Sequence, residues 1–109
     1  MRAYHIDSAG ASPTLSDLPL PVPGPGEIRL KVGACGLNFA DLLMMTGDYQ
    51  DTPAAPFTLG MEVSGTVDAH GPGVISPAIG TRVAVFGGQG GLAEYGCFPA
   101  DRAVAVCQP

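Results

Sequence analysis

The sequence predicts a mainly β domain with one short helix, its strands arranged as a barrel or sandwich. Three observations predict it. Sixteen glycines and eleven prolines, with no tryptophan, favour short strands and tight turns over long helices. Several segments alternate apolar and polar residues with a period of two. One segment alone, Asn38 to Gly47, sets helix formers between a cap-type residue and a terminating glycine.

In chain order, Pro19, Pro21, Pro23 and Pro25 alternate with Leu20, Val22, Gly24 and Gly26, which suits an extended polyproline-like connector ending in a turn. Residues 27–34 then put Ile28, Leu30, Val32 and Ala34 on one face and Glu27, Arg29 and Lys31 on the other, a half-buried strand. The short helix over 38–47 follows. Residues 61–69 form a second long strand, with Met61, Val63, Gly65, Val67 and Ala69 facing one way. After the turn His70-Gly71-Pro72-Gly73, a third strand runs from Arg82 to Phe86 between glycines. A fourth spans Ala93 to Phe98 and stops at Pro99, and a last one covers Ala103 to Val106. No repeat or low-complexity tract divides the chain.

At 109 residues, with 46% hydrophobic and 14% charged residues, the chain fits one packed domain. Five Lys+Arg scattered singly and a net charge of −5 exclude a nucleic-acid surface. The first seven residues lack an apolar signal core, and nothing approaches the run of about 18 apolar residues that a membrane span needs, so a cytoplasmic protein is expected. Cys35, Cys97 and Cys107 match no metal or redox spacing and read as buried or half-buried free thiols.

The segment Gly88-Gln89-Gly90-Gly91-Leu92-Ala93 satisfies the G-x-G-x-x-[G/A] pattern directly after a strand. Context argues against a dinucleotide fingerprint. Such a motif must open a helix, whereas Gly96 and Pro99 interrupt any helix here, so a glycine-rich loop between strands is expected. Asn38 and Asp41 have the spacing of an N-cap and its N3 partner, and either helix stability or a binding role explains them. Tyr49, just past Gly47, reads equally as a packed loop aromatic or a hydroxyl aimed at a substrate oxygen. His5 and His70 have no ligand-like neighbours and are read as surface or strand-end residues.

Gly26-Glu27-Ile28-Arg29-Leu30-Lys31-Val32, Gly36-Leu37-Asn38-Phe39-Ala40-Asp41, Gly47-Asp48-Tyr49, Pro56 to Glu62, Ser64 to Val67, Gly80 to Val83 and Ala93-Glu94-Tyr95 occur in an order and spacing similar to medium-chain dehydrogenase/reductase enzymes. The Gly36–Asp41 segment resembles the zinc-independent quinone oxidoreductase branch. The resemblance implies a GroES-like, partly open β-barrel. It also implies that residues 1–109 are the substrate-side domain, that the Rossmann domain is absent from this chain, and that this chain alone is inactive.

Zinc-dependent alcohol dehydrogenases of that superfamily carry a cysteine and a histidine ligand where this chain has Asn38 and Met61. An amide and a thioether are poor replacements for two of zinc's few protein ligands, and Glu62 alone cannot hold the metal. No zinc is expected. Quinones and enones delocalise an incoming hydride's charge, so they need a Lewis acid less than simple ketones do. By resemblance, the full-length enzyme is an NADPH-dependent quinone or enone reductase and a homodimer. Asn38 and Tyr49 are the expected polar contacts to substrate or nicotinamide. Asp41 belongs to the cofactor-binding set and fixes the start of the helix. A tyrosine found in the helix of some relatives is Leu43 here. Two other readings remain open: an alcohol dehydrogenase domain with a degenerate metal site, and a stand-alone GroES-like binding module.

Overall fold

A computed structural model describes residues 1–106. In chain order its elements are β1 (Arg2–Ile6), β2 (Thr14–Asp17), β3 (Glu27–Gly36), α1 (Phe39–Thr46), β4 (Phe57–Thr58), β5 (Glu62–His70), β6 (Arg82–Phe86), β7 (Tyr95–Pro99) and β8 (Val104–Ala105), with a 3-10 turn over Ala100–Arg102. The predicted class therefore holds: mainly β with one short helix.

The strands form two antiparallel sheets. One has three strands in the order β2-β1-β4, the other five in the order β7-β3-β5-β6-β8. They do not close into a barrel. Residues 92–94 stitch one to the other: Tyr4 N–H donates to the Leu92 carbonyl (2.8 Å), and Val32 N–H donates to the Glu94 carbonyl (2.9 Å).

Alternation along β3, β5, β6 and β7 fills the larger core. Ile28, Leu30, Val63, Val67, Val83, Val85 and Phe98 meet on one side of the five-stranded sheet, and each such burial contributes about 1.5–3 kcal/mol of transfer free energy. A second cluster, Ile6, Met44, Phe57, Leu59 and Met61, joins the small sheet to α1. Arg29, on the outer face of β3, bonds Asp68 at 2.9 and 3.3 Å and the Pro21 carbonyl at 3.2 Å. That fork ties the proline-rich connector to the sheet.

Three expectations need correction. Ala34 is exposed instead of sharing the face of Ile28 and Leu30, because the pairing of β3 with β5 shifts register between Val32 and Ala34 and flips the alternation. The fourth strand begins at Tyr95 and not at Ala93, and it ends on Pro99, which closes the edge strand β7. The last strand shrinks to Val104–Ala105, both exposed. Cys35 and Cys97 are half-buried free thiols as expected, while Cys107 lies outside the described residues. Among the described residues no helix is long and apolar enough to cross a membrane.

Candidate functional site

Helix α1 begins where its sequence says it should. Asn38 is the N-cap, with extended backbone (φ −125°, ψ 154°), and Gly47 ends the helix at φ 80°, a left-handed conformation that glycine adopts without strain. The N–H groups of Gly47 and Asp48 close the last turn on the carbonyls of Met44 (3.2 Å) and Leu43 (2.9 Å).

The start of the helix is held mainly from the carboxylate side. Asn38 N–H donates to Asp41 Oδ2 at 2.9 Å. The reciprocal approach of the Asn38 side chain to Asp41 N–H completes the outline of a capping box but falls short of a hydrogen bond, and Asp41 N–H lies 3.0 Å from the Asn38 main-chain oxygen. Two atoms are left over. Asn38 Nδ2, a donor, and Asp41 Oδ1, an acceptor, are both buried without a partner among the described residues. Asp41 is 5% exposed, a charged residue inside the fold. A buried polar atom left unpaired costs about 1–3 kcal/mol, so such a pair calls for a ligand or water.

Tyr49 sits apart from this pair. Its half-buried ring packs on the second core cluster with Ala40, Met45 and Leu92, and its main-chain oxygen accepts the Thr52 N–H at 3.0 Å. The structure thus joins Asn38 to Asp41 directly and reaches Tyr49 only through the core that backs the helix. Leu37, Phe39 and Leu42 stay exposed around the start of the helix.

A concavity of about 600 Å³ opens beside the segment that leads into Asn38. Cys35, Gly36, Glu62, Phe86, Arg102 and Val104 line it. The Cys35 sulfur lies against Gly60 and Gly91, where an added Cβ at either position would come within 2.9 Å of it. Burial pushes the Cys35 thiol up from its ordinary value, and the Asp41 and Glu62 charges add to that. It is therefore a neutral, weakly nucleophilic thiol at pH 7. This glycine cradle, and the placement of Glu62 over Gly36, had no local signal in the sequence.

The glycine loop after β6 is committed to the fold. The N–H groups of Gly87 and Gly88 both donate to the Met61 carbonyl (2.8 and 3.1 Å), Gly90 to Thr58 (2.9 Å) and Gly91 to Gly60 (3.0 Å). Those donors are not available to a pyrophosphate. Met61 is 3% exposed inside the second core cluster, and among the described residues no three His, Cys, Asp or Glu side chains come together as a metal site.

Residues 24–108 match the family described as Alcohol dehydrogenase GroES-like domain. The chain belongs to that family. Within this GroES-like family, it is 35% identical over 99 residues to a Quinone oxidoreductase of Lama guanicoe, covering 87% of this chain and 30% of that protein. It is 50% identical over 70 residues to the Synaptic vesicle membrane protein VAT-1 homolog of Rattus norvegicus, covering 64% of this chain and 17% of that one. The crystal structure of the Quinone oxidoreductase from Thermus thermophilus, described with its NADPH complex, superposes with a TM-score of 0.81 at 38% identity over 99% of this chain and 33% of that one. The GroES-like chain thus spans a third or less of each of these proteins. The resemblance to medium-chain dehydrogenase/reductase quinone oxidoreductases holds.

Proposed function

We propose that this chain is the substrate-side domain of a longer NADPH-dependent oxidoreductase that reduces quinones or enones by hydride transfer without zinc. Its Rossmann domain would lie in the rest of the full-length protein. The family membership and the NADPH complex described for the Thermus thermophilus relative support the oxidoreductase reading. The observation that carries the site assignment is the buried, unpartnered Nδ2 of Asn38 at the start of α1.

Bound NADPH would supply the hydride. The chain's own residues then have three tasks. Asn38 Nδ2 donates a hydrogen bond to the acceptor oxygen, where negative charge grows as hydride arrives at the conjugated ring. Asp41 keeps the Asn38 backbone fixed through its Oδ2 and offers Oδ1 to a donor group of cofactor or product, a ribose or phenolic hydroxyl. Tyr49 offers its hydroxyl as a further donor to substrate or nicotinamide, its ring anchored by the second core cluster.

An amide and a buried thioether at the positions where zinc enzymes have ligands favour a metal-free site. As in the family it resembles, the full-length protein is proposed to be a cytoplasmic homodimer. The test is NADPH oxidation by the full-length protein with a 1,4-benzoquinone or an enone, against a simple ketone. Turnover of the conjugated acceptors alone supports the proposal, and turnover of the ketone alone overturns it.

A further inference from the structure

Gly36 and Glu62 face each other in the ladder between β3 and β5, at the end of that ladder nearest α1. The Glu62 side chain folds back over the bare Gly36 backbone: a Cβ built on Gly36 would lie 2.9 Å from Glu62 Cγ and 3.0 Å from Glu62 Cδ, closer still to its Oε1. A side chain at position 36 would have to push the Glu62 side chain aside. Two residues further on, Asn38 N–H is held by Asp41 Oδ2. The stretch Gly36-Leu37-Asn38 therefore has a carboxylate side chain at each end, Glu62 of β5 lying over Gly36 and Asp41 of α1 bonded to the Asn38 N–H. The negative charges of Asp41 and Glu62 both raise the Cys35 thiol, behind its larger burial effect, so the two acids also flank the residue just before this stretch.

The geometry points to Glu62 as a positioning residue, which holds the turn carrying Asn38 by packing its side chain over Gly36. Asp41 restrains the far end of that turn through a hydrogen bond, while Glu62 restrains the near end through shape, because its methylene and carboxyl carbons occupy the place of a missing side chain. Glu62 is itself exposed, so removing it leaves both core clusters intact. The catalytic consequence rests on the reading of Asn38 given above; the positioning does not.

The test uses amide hydrogen exchange and steady-state kinetics on the intact full-length protein. Glu62→Ala should speed exchange of the Asn38 amide about tenfold through local opening, with the amides of β6 unchanged. Gly36→Ala, which displaces the flexible Glu62 side chain without deleting it, should do the same, and the double variant should be no faster than either alone. Glu62→Gln, nearly the same shape, should restore the slow exchange. In parallel, kcat should fall about ten- to a hundredfold in Glu62→Ala with the KM for NADPH unchanged, as a misplaced contact group does.

Unchanged Asn38 exchange in Glu62→Ala, or equal speeding of the β6 amides, overturns the positioning role. Faster Asn38 exchange with unchanged kcat upholds the positioning and overturns the assignment of Asn38 as a ligand contact.

Discussion

Replacing Asp41 and Asn38 one at a time separates a structural cap from a functional donor. Asp41→Ala removes the charge-assisted bond from Asn38 N–H to Oδ2 (2.9 Å) and strands that half-buried N–H. Such a loss costs about 1.5–3 kcal/mol, with about 0.3–1 kcal/mol more for an acid in the first helical turn. Removing a buried carboxylate whose Oδ1 has no partner offsets about 1 kcal/mol or more of that. The net expectation is a destabilisation of about 2 kcal/mol, or a melting temperature lower by about 8–16 °C at 4–8 °C per kcal/mol. Asn38→Ala removes a side chain whose Nδ2 is unpaired and which makes no cap hydrogen bond to Asp41 N–H. Its cost should lie at the low end of the N-cap range, about 0.5 kcal/mol. Its kcat for quinone reduction in the full-length protein should instead fall about a hundredfold, the effect of deleting one preorganised donor. Thermal melts of this chain and turnover of the full-length protein give the two numbers. Equal destabilisation by both substitutions would refute the reasoning, because Asn38 would then be an ordinary cap.

Other consequences follow from the same contacts. Gly60→Ala must place a Cβ at φ 108° against Leu92 N and 2.9 Å from both Cys35 Sγ and the Gly91 carbonyl carbon; a loss of roughly 3 kcal/mol is expected in urea unfolding. Cys97, whose thiol is raised to about 11, chiefly by burial with the Glu27 charge adding, should react slowly with a maleimide at pH 8 and speed up as pH climbs toward 11. Because its folded value lies above the ordinary 9.0, its contribution to stability is complete below pH 9 and is lost as pH rises from there toward 11. Cys97→Ser should flatten that alkaline fall in a urea titration series. This chain alone should show no micromolar NADPH binding by fluorescence titration, since the glycine loop's donors are already spent on Met61, Thr58 and Gly60.

Much of the fold was legible because alternation is a strong signal where one face is buried. Ile28, Leu30, Val63, Val67, Val83 and Val85 all face the core that their spacing announced. The helix was legible at both ends through Asn38 and Gly47. What escaped detection were strands whose pairing is set by distant partners: β1 and β2 carry weak alternation, and the two-residue β4 exists through its pairing with His5 and Ile6. A single register shift near Gly33 exposed Ala34, which no local pattern encodes. For the site, the sequence offered Asn38, Asp41 and Tyr49 as candidates but could not choose between cap and contact. The proposal of a contact role rests on two unpartnered atoms, which are visible only in three dimensions. Glu62 and Gly36 are 26 positions apart, and only the β3–β5 ladder makes them neighbours.

The claim that hydride transfer here needs no metal is tested most directly by assaying NADPH-dependent quinone reduction by the full-length protein after exhaustive dialysis against a zinc chelator, with zinc measured in the same sample. The account predicts full turnover with zinc far below one equivalent. Turnover that disappears with the chelator and returns on adding one equivalent of zinc would contradict it.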